Sequence, residues 1–357
     1  MSTLLAPDLP LRGRDRELAL IREVLEHGLR GGPAVLAVEG MPGIGKTRLL
    51  SEAAALAREL GYQPARRPHG REARHHRPGA RPSGPHLTIL DDPCGSPDRP
   101  GHRTRLPPRG RHGGTARGVW LIAHRPGEPA PPPGPLLADP ATRTERLLLG
   151  PLAPADTHRL AQDLLGAPPA LSLLPLVDDT GGHPRLLIEL LTGLREEGGV
   201  QLSGGEAELL TARLPARLSA RVRATLERYS PACRQLLCVA AVLGDEVVYG
   251  ELARMMGTSV SALLPTLEEV CATGVVRDVG TRAVFRNALL RRLVAESVPA
   301  PVRLALEQEA AALRATRRPP RPAAPARPAP PSPRHPRPAP GNRAGSSAPW
   351  WPWSPRA

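Results

Sequence analysis

Gly40-Met41-Pro42-Gly43-Ile44-Gly45-Lys46-Thr47 decides the fold. The octet satisfies G-x-x-x-x-G-K-[ST] in full. Its glycines let the backbone wrap closely around an anion, with successive N–H groups turned inward. A helix that starts at the lysine directs its positive end at the same point. Ala34–Val38, just before the octet, is a continuous apolar run between glycines, the pattern of a parallel strand buried on both faces. Lys46–Leu60, just after it, reads as a helix closed by Gly61. Strand, glycine loop and helix is the order that a phosphate cradle needs. Upstream, Asp15–Leu29 places Leu18, Ile21, Leu25 and Leu29 on one helix face.

Of 48 basic residues, Lys46 is the one lysine; every other is arginine. A compact ammonium and a planar guanidinium are not interchangeable, so a lone lysine marks a position that needs one. The motif implies a nucleoside triphosphate, ATP with magnesium. Gly40, Gly43 and Gly45 then form the cradle, Lys46 meets the β- and γ-phosphates, and the Thr47 hydroxyl ligates the metal.

Leu87-Thr88-Ile89-Leu90-Asp91-Asp92 is an apolar strand ending in two carboxylates. In that position Asp91 holds magnesium and Asp92 orients the attacking water, the catalytic pair of an ATP hydrolase. The competing reading is an acidic strand end in solvent. Val119–Ala123 reads as a further buried strand, and Arg125 just beyond it is a candidate for the γ-phosphate or a solvated surface arginine. Gly182-His183-Pro184 opens a helix with proline at its first position, either an ordinary loop or a cover over the nucleotide.

The expected fold is an α/β P-loop NTPase core, a parallel sheet with flanking helices, followed by an all-α lid and a winged-helix region. Residues 1–150 form the nucleotide-binding domain, with Arg146–Leu149 as a short strand. Within it, regular patterning collapses from Gln63 to Gly118 except at Leu87–Asp92, so 63–117 reads as degraded or low-complexity. Residues 151–212 form the helical lid, with helices at Ala155–Leu165 and Pro184–Glu197. Residues 213–300 carry helices around Leu218–Leu226, from Ser230-Pro231 to Gly244, over Glu251–Met256 and Ser261–Thr273, then a hairpin around Gly280 and a helix at Ala288–Glu296. Residues 301–316 begin a further helical region. Residues 317–357, rich in Pro and Arg and free of acids, read as a disordered tail.

The formal charge of +14 is unevenly spread. Residues 63–118 hold 12 Arg against Glu72, Asp91, Asp92 and Asp98, and residues 314–357 hold nine Arg and no acid. With those set aside, 27 basic and 30 acidic residues remain, so the parts that pattern as folded are close to neutral. The expected winged helix carries Glu251, Glu268 and Glu269 against Arg254, a poor match to a phosphate backbone. His69, His75, His76, His86 and Cys94 fit no zinc spacing. No apolar run is long enough to span a membrane, and Met1–Arg12 lacks the layout of a secretory signal. Cys94, Cys233, Cys238 and Cys271 show no C-x-x-C pair and read as free thiols of a cytoplasmic protein.

Leu11-Arg12-Gly13-Arg14-Asp15-Arg16-Glu17-Leu18 resembles the entry motif of STAND-type ATPases. The phosphate loop, Ala123-His124-Arg125-Pro126-Gly127-Glu128, Gly181-Gly182-His183-Pro184 and Val284-Phe285-Arg286 follow in the order found in the large ATP-binding LuxR-type transcriptional regulators of actinobacteria. The resemblance covers roughly residues 11–62 and 118–313. It implies a signalling switch in which ATP favours an open state and hydrolysis resets it. It also implies that Gly13 and Arg14 lie near the base, Lys46 and Thr47 at the phosphates and magnesium, Asp91 and Asp92 at the water, and Arg125 at the γ-phosphate. The family continues into helical repeats and a helix-turn-helix that this sequence does not contain, so a truncated regulator is expected. Pro93-Cys94-Gly95-Ser96-Pro97-Asp98 replaces the usual continuation after the two aspartates, and parts of 63–117 and the text after about Arg314 read as out-of-frame translation.

The expected partners are ATP, a second copy of the chain or an effector protein or small molecule, and DNA only indirectly. The rival readings are a DNA-binding protein that uses the winged helix and Arg-rich segments, and a non-functional remnant.

Overall fold

A computed structural model describes residues 9–67, 85–92, 118–126 and 141–316. The apolar run before the glycine loop becomes β1 (Ala34–Gly40), an interior strand. Four further strands complete its sheet: β2 (Gln63–Arg67), β3 (His86–Asp91), β4 (Gly118–His124) and β5 (Arg143–Leu149), in the order β2-β3-β4-β1-β5. Every pairing is parallel. This is a P-loop NTPase core, a parallel sheet with helices α1 (Asp15–Leu29) and α2 (Lys46–Glu59) beside it.

Alternation along the strands sorts the core. Leu36 and Val38 of β1, Leu87 and Ile89 of β3, and Val119, Leu121 and Ala123 of β4 pack with Ile21, Val24 and Leu25 of α1 and Leu49, Leu50, Ala53 and Ala57 of α2. Val35, Leu90 and Ile122 bury on the opposite face beside Trp120. Tyr62 ties this layer together: its hydroxyl donates to the Leu25 carbonyl at 2.5 Å, and burial pushes its pKa up to about 12.

β2 corrects the expectation that order is lost from Gln63 onward. Gln-Pro-Ala-Arg-Arg has no apolar alternation, but β2 lies at the sheet edge and needs one partner, β3. Edge strands tolerate proline and charge. β5 starts at Arg143, three residues before the expected strand, because it is the opposite edge and its outward residues need not be apolar.

The next layer contains α3 (Pro154–Leu165), α4 (Leu174–Asp178) and α5 (Pro184–Glu196). A hairpin of β6 (Val200–Ser203) and β7 (Glu206–Leu209) follows, so the expected all-α composition of 151–212 is corrected. The Gly204-Gly205 turn, with both residues at positive φ, is the signal for it. Leu160, Leu173, Leu187, Leu190 and Leu194 form its core with Leu218 of α6 (Ala216–Leu226) and Leu289 and Leu293 of α10 (Ala288–Glu296).

A third core forms around α7 (Pro231–Leu243), α8 (Tyr249–Met255) and α9 (Val260–Ala272), with β8 (Glu246–Val248), β9 (Val276–Val279) and β10 (Arg282–Phe285) in the order β8-β10-β9. Ser230 and Ser259 cap α7 and α9 through their hydroxyls. Cys233 is buried, and burial followed by the Glu269 charge holds its thiol up at about 11, protonated and unreactive. Cys238 and Cys271 are half-buried free thiols, and Cys94 lies outside the described residues. α11 (Ala300–Thr316) ends the described chain. The expected disorder of 317–357 likewise lies outside them. No helix among the described residues is long and apolar enough to cross a membrane.

Candidate functional site

The glycine loop joins the carboxyl end of β1 to the start of α2. In an open parallel sheet, ligands gather at this edge of the strands. Gly43 and Gly45 stand at φ +82° and +106°, conformations that a Cβ disfavours. Gly45 is the N-cap of α2 and supplies no side-chain acceptor, and the first turn carries no acid. The orphan N–H groups and the positive helix end are therefore left for an anion. No heavy atom lies within 4 Å of the place a Gly45 Cβ would take.

Lys46 is buried at 8% exposure. Its ammonium donates to the Gly40 carbonyl at 2.6 Å and the Met41 carbonyl at 3.1 Å, folded back along the loop. Thr47 is exposed at the first turn of α2. Its hydroxyl and the carboxylate of half-buried Asp91, the last residue of β3, are hard oxygens of the type magnesium selects. No group of three His, Cys, Asp or Glu among the described residues forms a metal cage.

Asp92 follows β3 and keeps the ladder, its N–H donating to the Ala123 carbonyl at 2.9 Å. It is the one non-glycine at positive φ among the described residues, at +50°. Such backbone strain clusters at functional sites. Its carboxylate pairs with Arg125 at 3.1 Å, each side chain about a quarter exposed. Asp92 Oδ1, Arg125 Nε and His124 Nε2 are buried with no hydrogen-bond partner. Three of the five such atoms among the described residues therefore fall at this one sheet end. His124 was not singled out by sequence reasoning. It is 2% exposed, and its Nδ1 sits 3.0 Å from the Arg125 carbonyl, which makes Nδ1 the protonated nitrogen.

Arg14 packs against the glycine loop. It is 5% exposed and donates to Glu17 at 3.0 Å, to the Gly150 carbonyl at 2.6 Å and to the Ile44 carbonyl at 3.4 Å. Its guanidinium joins the glycine loop to the end of β5. Beside it, Arg12 grips Asp163 of α3 with two hydrogen bonds, 2.8 and 2.9 Å.

Sequence reasoning placed the Gly182-His183-Pro184 turn near the loop only as one of two readings. His183 Nε2 lies 2.9 Å from the Pro42 carbonyl, and the Arg185 N–H donates to the Gly43 carbonyl at 3.3 Å. A Cβ on Gly43 would stand 2.6 Å from His183 Cε1. The Met41 methyl reaches Gly274, between α9 and β9. The loop is thus touched by the second and third layers as well as its own.

Sequence comparison bears on the same segment. Residues 10–98 match the model of the AAA ATPase domain. That span contains the glycine loop and both strand-end aspartates. No curated protein matches the chain. Solved structures of similar fold include a signal transduction ATPase with numerous domains and a tetratricopeptide repeat sensor from Pyrococcus horikoshii, at TM-score 0.32 and 13% identity over 89% of this chain. This chain spans about half of that protein, 48% of its length. The Orc1 protein of Aeropyrum pernix in complex with DNA gives 0.38 and 17%, covering 84% of this chain and 97% of that one. A Walker-type ATPase of Pyrococcus abyssi gives 0.44 and 13%, covering 81% and 99%. Likenesses this distant carry no functional argument.

Proposed function

We propose that the chain is an ATP–magnesium switch module that hydrolyses ATP slowly, the nucleotide-binding part of a LuxR-type transcriptional regulator. One observation carries the reading: a G-x-x-x-x-G-K-T loop stands at the carboxyl end of an interior parallel strand, with two glycines at positive φ, a buried lysine and an uncapped helix end behind it. In this reading the N–H groups of Gly43, Gly45 and Lys46 surround the phosphates. The Lys46 ammonium exchanges the Gly40 and Met41 carbonyls for phosphate oxygens. Thr47 and Asp91 hold magnesium, which neutralises phosphate charge when bound. Asp92 takes the proton side of the attacking water, and Arg125 meets the γ-phosphate once released from Asp92. Arg14 serves the site through the loop it holds.

Residues 231–285 supply the regulatory contact. The order helix, strand, helix, helix, hairpin with one antiparallel three-stranded sheet supports the winged-helix reading, and Met41 reaches from the loop to Gly274 within it. A second copy of the chain or an effector is the partner that such a contact would answer to, with DNA reached only through the rest of a regulator in the cytoplasm. A ligand that binds the native state alone raises its apparent stability by about 2.7 kcal/mol at a hundredfold excess over Kd. Magnesium-ATP is expected to raise the melting temperature with increasing concentration, and not to do so in Lys46→Ala. Equal shifts in both proteins would end the proposal.

A further inference from the structure

The lid meets the loop through a histidine whose two ring nitrogens are both used. His183 is the N-cap of α5, and its Nδ1 accepts from the Leu186 N–H at 3.3 Å. Its Nε2 faces the Pro42 carbonyl at 2.9 Å. An acceptor at Nδ1 and a carbonyl opposite Nε2 permit one state only: the neutral ring with its proton on Nε2. The adjoining Arg185 N–H donates to the next carbonyl, that of Gly43. Two successive carbonyls of the loop are therefore held by the first turn of α5.

A phosphate loop works by aiming N–H groups inward, so its carbonyls must be accommodated on the outside. We infer that His183 is a positioning residue for nucleotide binding: its Nε2–H holds the Pro42 carbonyl outward, so that the cradle is formed in advance and the lid is coupled to the occupied loop. The inference rests on the ATP reading of this loop. Gly43 supports it, because the imidazole packs where a side chain at 43 would stand.

The same geometry makes the contact sensitive to pH. Protonation converts Nδ1 from acceptor to donor, and it then opposes the Leu186 N–H. Burial lowers the pKa of His183 below its ordinary value and outweighs the Pro42 hydrogen bond, which acts to raise it. The charges that act on the ring are Arg185 and Glu189, both on α5. Arg185 opposes the imidazolium and Glu189 favours it. The contact is intact above the usual histidine pKa and is lost as pH falls through the lowered one.

The test is calorimetric titration of the full chain with magnesium-ATP at pH 7.5 and at a series of lower pH values, in wild type, His183→Asn and His183→Ala. Asparagine is a good N-cap, so His183→Asn keeps the helix start while its shorter side chain gives up Pro42. Loss of one hydrogen bond that preorganises the loop is expected to raise Kd roughly three- to tenfold at pH 7.5 in both variants. Wild-type affinity falls as pH drops through the lowered pKa of His183, and the variants lose that part of the pH dependence. A Kd in His183→Asn equal to or tighter than wild type at pH 7.5, or a pH profile unchanged in both variants, overturns the role of His183 and leaves the ATP reading standing. Wild type that binds no magnesium-ATP overturns both.

Discussion

Gly43→Ala is expected to destabilise the protein by more than its own backbone explains. An L-residue at left-handed φ costs roughly 1–2 kcal/mol, and Gly43 stands at +82°. The new Cβ would lie 2.6 Å from His183 Cε1 and 3.0 Å from both Cβ and Cδ of Arg185. The ring must shift, and its bond to Pro42 goes with it, adding about 0.5–1.5 kcal/mol. The total is roughly 1.5–3.5 kcal/mol. Gly45→Ala is the internal control. Gly45 has the more extreme φ, +106°, yet its Cβ would meet nothing within 4 Å. It pays only the backbone term, roughly 1–2 kcal/mol. The assay is the urea midpoint of each variant followed by far-UV circular dichroism. The double variant Gly43→Ala/His183→Ala is expected to cost less than the sum of the singles, because the clash and the lost bond share one ring. A Gly43→Ala protein as stable as Gly45→Ala, or strict additivity with His183→Ala, would refute the reasoning that α5 rests on the loop.

Two other expectations concern the sheet. Asp92→Asn keeps a residue type that tolerates positive φ but removes the charge opposite Arg125, so magnesium-ATP binding is expected to persist while phosphate release in a steady-state assay is lost; release at the wild-type rate would remove Asp92 from the mechanism. Tyr62 holds its proton to about pH 12 in the fold. An unfolded tyrosine releases it near 10, so stability is expected to fall as pH rises through 10 toward 12. Tyr62→Phe costs about 1 kcal/mol at neutral pH and flattens that alkaline limb of the urea-midpoint profile; an unaltered limb would assign it to another group.

The glycine octet made the core legible because strand, loop and helix are local in sequence. The Ala34, Leu87 and Val119 runs are continuous and apolar, and each is a strand buried on both faces. β2 was illegible for the opposite reason, since an edge strand needs neither apolar faces nor freedom from proline. The hairpin at Gly204-Gly205 carried a turn signal, but Val200–Ser203 is too short and too exposed to add an alternation to it. At the site, Lys46 and Thr47 were readable from spacing alone. The pairing of Arg125 with Asp92, the burial of His124 and the reach of His183 to Pro42 join residues 33 to 141 positions apart or depend on side-chain direction, which no local pattern encodes. The contacts of Arg14 are of the same kind, its guanidinium donating to the carbonyls of Ile44 and Gly150, 30 and 136 positions away.

The ATP reading turns on one lysine. Equilibrium titration of the full chain with ATP in excess magnesium is expected to give saturable one-to-one binding, lost in Lys46→Ala and not restored by Lys46→Arg, because a planar guanidinium does not replace the compact ammonium. Undiminished affinity in Lys46→Ala, or no binding by the wild type, would contradict it.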